Sequence, residues 1–278
     1  MEKLYIPLNK DRVKTSKDFI KCDNLDTFVA CYSDIYYDIN KGKAAEKYFD
    51  GLLYKKASYS REEIYYILAW KIGGINMKET NYNKEEITDP KTDFRYYTKK
   101  GWDGRKSGKS YGRPIEIEKI LDLTPELSEG KLEWLDDNKQ FASDPGCASE
   151  LLRKLADSGA AGMGAVYYLT LLYFLTGSRW PIYDIQAYKA MLAIRQGVMP
   201  FVDTVKLDKS IKNLPSKENN YSQRLSTILD EGASNRYRQY VDFLKENEQK
   251  LSKVYRYTAS RDFDRALWVY GHYFKIEK

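Results

Sequence analysis

Residues 162–189 read GMGAVYYLTLLYFLTGSRWPIYDIQAYK: a glycine turn, an apolar run, a break, and an acid ahead of a second helical pattern. Gly162 and Gly164 flank Met163 and carry no Cβ, so the turn tolerates positive φ and the close approach of another molecule. Upstream, Ser149–Asp157 (SELLRKLAD) has the spacing of a short amphipathic helix. Downstream, Ala165–Thr176 is apolar on nearly every face, the mark of a buried helix. At about 12 residues it is too short to cross a bilayer, which takes about 20. The order is therefore helix, hairpin, helix, and the hairpin amides fall at the N-terminus of the second helix, where an anion binds well.

The acid has two readings. Asp184 follows Pro181-Ile182-Tyr183 and precedes a helix carrying Ala187, Met191, Leu192 and Ile194. One reading is an N-cap, worth about 1 kcal/mol. The other is a carboxylate held at a fixed point beside the hairpin.

Turn, helix and acid together resemble the helix-hairpin-helix DNA glycosylase superfamily. Members show G-h-G, an apolar helix, then an aspartate in a pattern like V-D-T-H-V-x-R. Here Gly162-Met163-Gly164 takes the hairpin and Asp184 falls 20 positions after Gly164, a spacing that family also uses. Asp184-Ile185-Gln186-Ala187-Tyr188-Lys189 overlays D-T-H-V-x-R, with Gln186 for His and Lys189 for Arg. The resemblance covers about 30 residues, within a helix-hairpin-helix segment of about 149–195.

That resemblance implies an all-α fold, with residues 1–278 forming one unit of two interleaved helical subdomains around a cleft and a small extra strand or two. It implies DNA as partner, a monomer, and hydrolysis of the N-glycosidic bond of a flipped base. Amides around Gly162, Gly164, Ala165 and Val166 would hold a phosphate, directly or through a bound monovalent cation; no other cofactor is expected. Asp184 would stabilise positive charge on the deoxyribose as the base departs and position or deprotonate the attacking water. Bifunctional members carry a lysine where this chain has Val166, so the implied product is an abasic site in an intact strand. Some members hold a four-cysteine iron–sulfur cluster near the C-terminus; this chain has no cysteine after Cys147.

Composition sets the outer bounds. The 278 residues are 31% charged and 42% hydrophobic, the balance of a globular chain. Net charge is +6, which permits a nucleic-acid partner without demonstrating one. The 25 tyrosines and 5 tryptophans are first of all packing residues, although aromatic faces also stack on bases. Cys22, Cys31 and Cys147 form no C-x-x-C pair, and MEKLYIPLNK has no apolar signal-peptide core, so a cytoplasmic or nucleoid-associated protein without membrane attachment is expected. His272 is the only histidine, which argues against a histidine-built zinc site and a Ser-His-Asp triad.

In chain order, residues 1–23 read as an irregular lead-in and 25–39 and 43–55 as helices. Ser60-Arg61-Glu62-Glu63 is a capping box opening a helix that stops at Gly73-Gly74. Lys99–Arg113 (KKGWDGRKSGKSYGR) gathers six cations and four glycines around Trp102 and Tyr111. Its GRKSGKS is one residue short of a phosphate loop and follows no Val/Ile strand, so nucleotide triphosphate binding is rejected. Two readings stay open: a basic loop on a nucleic-acid backbone, using Lys99, Lys100, Arg105, Lys106 and Lys109 with Trp102 stacking or wedging, or a solvated surface loop. Short helices are expected within 115–137, and Asp144-Pro145 reads as a helix start. A helix is expected at 204–213, one long helix at 222–251 with a weak point at Gly232, and a last helix opened by Ser260.

Base-pocket candidates are Trp102, Tyr167, Trp180, Tyr183 and Trp268. Gln186 could reach a base or phosphate, or be a solvated first-turn residue. Lys189 reads as a surface lysine with a case for a phosphate contact. Two alternatives stand beside the glycosylase: a non-catalytic helix-hairpin-helix DNA-binding protein in which Asp184 only caps, and a helical protein-interaction module. Damaged and naturally modified bases are both open as substrates.

Overall fold

The computed structural model describes residues 3–39, 43–53, 60–71, 75–78, 81, 83–96, 145–157, 164–215, 220–230, 232–252 and 259–277. The chain is mostly helical and divides into two compact units. One comprises Met1–Asn40, Pro181–Asn213 and Ser234–Lys278; the other comprises Lys41–Trp180 and Leu214–Ala233.

The first unit begins with an antiparallel pair, β1 (Leu4–Pro7) and β2 (Phe19–Cys22), in register Leu4↔Cys22 to Pro7↔Phe19. The irregular lead-in expected there is corrected. Leu4, Pro7, Phe19 and Cys22 are buried, but a pair of four-residue strands is too short to show a period of two. Helix α1 (Leu25–Ile39) follows, with Phe28, Val29, Tyr32 and Ile35 buried along one stripe. The Tyr32 hydroxyl donates to the Tyr5 carbonyl at 2.9 Å and ties α1 to β1.

The second unit takes up the chain with α2 (Lys43–Leu53), α3 (Arg61–Lys71) and a two-stranded sheet, β3 (Ile75–Met77) with β4 (Phe94–Tyr96). The one-turn helix α4 (Pro90–Asp93) leads into β4. The Ser60 box is present in full: Glu63 N–H donates to Ser60 Oγ at 3.2 Å, and Ser60 N–H donates to Glu63 Oε2 at 2.9 Å. Asp93 is the buried acid of the sheet: it receives the Lys84 ammonium, Asn81 Nδ2 at 3.2 Å and the Thr88 amide at 3.1 Å. Helix α5 (Pro145–Asp157) precedes α6 (Ala165–Leu175), which is apolar all round and buried, as its composition requires. Helix α6 packs on α2, α3 and α5. Phe49 stacks on Trp70 at 5.0 Å, and Trp70 meets Phe174 edge-on at 6.1 Å. Two successive left-handed residues, Gly177 (φ 57°) and Ser178 (φ 68°), end α6.

The chain then returns to the first unit with α7 (Ile185–Gln196), closed by Gly197 in the left-handed region at φ 64°. The helix expected at 204–213 is corrected. Thr204–Val205 (β5) instead pairs in parallel with Lys275–Ile276 (β6), and Asp208 Oδ1 takes both the amide and the hydroxyl of Ser210 at 2.8 and 2.6 Å. These local acceptors compete with helical bonding.

The single long helix at 222–251 is also corrected. Helix α8 (Tyr221–Ser226) and a 3-10 turn (Thr227–Leu229) belong to the second unit and pack on α5. Gly232 (φ 80°) turns the chain, and Asn235 caps a new helix, α9 (Arg236–Glu248), by accepting from the Arg238 amide at 2.9 Å. Helix α10 (Ala259–Gly271) completes the first unit and packs against both α1 and α7. Its Tyr270 meets Phe28 edge-on at 5.1 Å.

Among the described residues the strands form three two-stranded sheets, more than the strand or two expected. No described helix is long and apolar enough to cross a membrane. The 99–113 basic loop, the helices expected within 115–137 and Asp144 lie outside the described residues.

Candidate functional site: the start of helix α7

Pro181 to Tyr183 run in without helical structure, and Asp184 takes extended angles (φ −136°, ψ 141°) before the helix begins. Its Oδ1 accepts the Gln186 amide at 2.8 Å, and its carbonyl accepts the Tyr188 amide at 2.9 Å. Asp184 is thus an N-cap, with its charge at the positive end of the helix dipole. It is half-buried.

Four tyrosines hold the run-in. The ring of Tyr183 lies 5.9 Å from Tyr188, 6.1 Å from Tyr237 and 6.0 Å from Tyr240. The Tyr237 hydroxyl donates to the Pro181 carbonyl at 2.9 Å. The Tyr240 hydroxyl donates to Asp264 Oδ1 at 2.6 Å, and Arg261 approaches the other oxygen of Asp264 at 3.4 Å. Burial pushes the phenols of Tyr183, Tyr237 and Tyr240 well above their ordinary range, so they remain neutral. Each edge-on ring pair adds about 1 kcal/mol beyond its area. The residues just before Asp184 are therefore fixed from α7 and α9, with α10 holding the Tyr240 hydroxyl.

A contact from α10 fixes the first turn itself. A Cβ built on Gly271 would lie 1.9 Å from the Gln186 carbonyl oxygen. Only glycine lets the last turn of α10 lie that close to α7.

Three polar groups in this region have unusual surroundings. Lys189 is 9% exposed, which corrects the surface position expected for it. Desolvation lowers the pKa of its ammonium, with the charge of Asp184 acting in the opposite sense. The side-chain oxygen of Gln186 is buried without a hydrogen-bond donor, while the residue as a whole is half-buried. The Arg236 guanidinium lies over the Tyr188 ring at 5.8 Å, with its Nε buried and unpartnered.

The remaining candidates are placed as follows. Gly164 is the N-cap of α6 with φ −79°, and a Cβ there would meet nothing within 4 Å. It brings no side chain to its cap, and Ala165 behind it is buried while Val166 and Tyr167 are half-buried. Trp180 is 3% exposed and Tyr183 4%, so their faces are covered. Trp268 is half-buried between Tyr36 at 5.5 Å and His272 at 4.3 Å. Gly162, Lys99, Lys100, Trp102, Arg105, Lys106 and Lys109 lie outside the described residues. The sequence reading missed Gly271, Tyr237, Tyr240 and Arg236; only Gly271, a glycine inside an apolar helical run, carried a local signal.

Among the described residues no group of three or more histidine, cysteine, aspartate or glutamate side chains could hold a metal ion. No family model, curated protein or solved structure matches the chain.

Proposed function

We propose that the chain is a DNA glycosylase that releases a flipped, damaged or modified base by hydrolysis, with Asp184 as the catalytic carboxylate. The observation that carries the reading is the position of Asp184. It stands half-buried at a helix start held by Tyr183, Tyr237 and Gly271, at the spacing from Gly164 that the resemblance requires.

A carboxylate so fixed costs little reorganisation when positive charge develops beside it. As the glycosidic bond stretches, electron density moves to the base and the sugar turns cationic. Asp184 stabilises that cation and orients a water to attack C1′, accepting its proton. The protein pays the unstacking of the base, about a few kcal/mol, from backbone contacts to the strand. The amides at the start of α6 and the cations of residues 99–113 are the groups this reading assigns to phosphate.

A second reading has its own support, because Asp184 does cap α7. In it the chain binds DNA without chemistry. The two separate on Asp184→Asn, tested for base release over a panel of damaged and modified DNA and for binding to the same DNA. Asparagine caps as well as aspartate, so the helix start survives while the charge is removed. Base release by wild type alone, with equal binding by both proteins, supports the glycosylase. Equal binding with no release by either supports the binding protein.

A further inference from the structure

The rings of Phe19, Phe201 and Tyr273 meet within the first unit: Phe19 and Tyr273 at 5.2 Å, Phe201 and Tyr273 at 5.6 Å, Phe19 and Phe201 at 6.0 Å. They join three stretches of chain, residues 1–21, 198–213 and 272–278. Phe19 is covered, but Phe201 is 48% exposed and Val202 beside it 60%. Leu8, which follows the Pro7 that pairs with Phe19, is 62% exposed. Phe201 also holds φ 62°, a left-handed conformation that a bulky side chain rarely adopts. Its amide donates to the Tyr273 carbonyl at 3.2 Å, and the amides of Val202 and Asp203 return to the Met199 carbonyl at 3.3 and 3.4 Å. Backbone strain kept at an exposed turn points to a use for the side chains the turn presents.

Positive charge gathers on the same three stretches. Together they hold eleven lysines and arginines against six aspartates and glutamates, so they carry most of the chain's net charge of +6. Arg12, Lys14, Lys17, Lys206 and Lys275 are exposed, and none forms an ion pair with a described residue. Two of the acids are turned to backbone instead. Asp18 Oδ2 takes the amides of Lys14 and Thr15 at 2.8 and 2.7 Å, and Asp203 Oδ2 takes that of Met199 at 3.4 Å. Lys275 pairs with Thr204, two residues after Val202.

We propose that this surface docks on an anionic phospholipid bilayer, with Leu8, Phe201 and Val202 entering the boundary between headgroups and acyl chains and the cations meeting lipid phosphates. Such a bilayer is anionic at its surface and apolar just beneath, and these side chains call for both properties at once. The phosphates of a nucleic acid would answer the cations but give Leu8 and Val202 no apolar cover. Lipid has no fixed shape, so apolar side chains on separate turns enter it without a matching groove. Attachment of this kind needs no membrane-spanning helix, and it does not rest on the glycosylase reading.

The test is flotation of the full chain with vesicles of phosphatidylglycerol and phosphatidylcholine in equal parts, against vesicles of phosphatidylcholine alone. Wild type is expected to float with the anionic vesicles about tenfold or more over the neutral ones, and to be released by raised salt. Phe201→Asn combined with Val202→Ser should lower that recovery about tenfold. Asparagine accepts the left-handed region, so the turn survives the change. A second measurement needs no variant. Anionic vesicles carrying a trace of phosphatidylglycerol with a diazirine in its acyl chain are irradiated with wild type, and the labelled peptides are mapped by mass spectrometry. Label is expected at Leu8 and at Phe201–Val202. Equal recovery with both vesicles, no recovery, undiminished binding by the double variant, or label confined to other residues overturns the proposal. Two further outcomes also overturn it, each without vesicle binding. Duplex DNA binding that falls in the double variant assigns the surface to nucleic acid, and a dimer in solution that the double variant dissociates assigns it to a second copy of the chain.

Discussion

Gly271 and Gln186 meet backbone to backbone: the space a Cβ on Gly271 would take lies 1.9 Å from the Gln186 carbonyl oxygen. The oxygen belongs to the first turn of α7 and cannot move without moving Asp184. Gly271→Ala is expected to lower stability by about 1–3 kcal/mol, the range for overpacking, and to reduce base release beyond its effect on folding. Thermal unfolding and turnover measured on the folded fraction check both parts.

Two variants separate the cap at Asp184 from its proposed catalytic role. Asp184→Asn should keep stability within about 0.5 kcal/mol of wild type, whereas Asp184→Ala should lose about 1 kcal/mol. Both should lose base release by about 100-fold or more, the scale of a preorganised electrostatic group. Denaturant unfolding beside a release assay gives the comparison. Activity that followed stability across the pair would leave Asp184 as a cap.

Tyr240→Phe removes the donor to Asp264 Oδ1 inside the first unit. Loss of one hydrogen bond to a buried carboxylate costs about 1–3 kcal/mol. Tyr237→Phe removes a bond to a neutral carbonyl and is expected to cost less, about 1 kcal/mol. Urea midpoints of the two single variants rank them.

Alkali offers an independent check on the tyrosines. Burial raises the phenols of Tyr32, Tyr237 and Tyr240 well above 10.0. In the folded protein they keep their protons, while unfolded they lose them near 10. Their contribution is whole below pH 10 and is lost as pH rises from there toward the folded values. Phenolate absorbance should therefore show one fraction ionising near 10 and a second appearing only with loss of the circular-dichroism signal. Ionisation of all 25 tyrosines near 10 with the signal intact would contradict it.

Acid acts on the second unit through Asp93. The Lys84 ammonium, then the amides of Thr88 and Asp89, hold its carboxyl below the ordinary value of 3.8. A depressed carboxyl stabilises the fold above the unfolded value and ceases to as pH falls through the folded one. Protection of the β3 and β4 amides, relative to intrinsic exchange at each pH, should fall as the pH drops below about 4, and Asp93→Asn should remove that dependence.

The legible parts of this chain were those with local signals. Leu25–Ile39 has a helical apolar stripe, Ala165–Leu175 is apolar on all faces, and Ser60-Glu63 closes a box within four residues. The acid at 184 was legible as a helix start for the same reason. The strands were not, because each is two to four residues long and its partner is distant in sequence, as Val205 is from Ile276. The tyrosines around Pro181 were unreadable for a related reason: Tyr237 and Tyr240 show helical spacing, but nothing in α9 says which residues they meet. The burial of Lys189 is set by tertiary packing and not by its neighbours in sequence, which mark it as a surface lysine.

The first unit is assembled from three separated stretches of chain, the last being Ser234–Lys278. During synthesis Asp184 and α7 leave the ribosome well before α10, the helix against which α7 packs and whose Gly271 meets its first turn. Until α10 arrives, the apolar face of α7 has no lasting cover, and such surface invites aggregation. The contacts that complete the unit are long-range in sequence, a topology that slows folding. The cap would thus become firm late in maturation, and a ribosome that stalled before residue 259 would release a chain with its aspartate present and its scaffold unfinished.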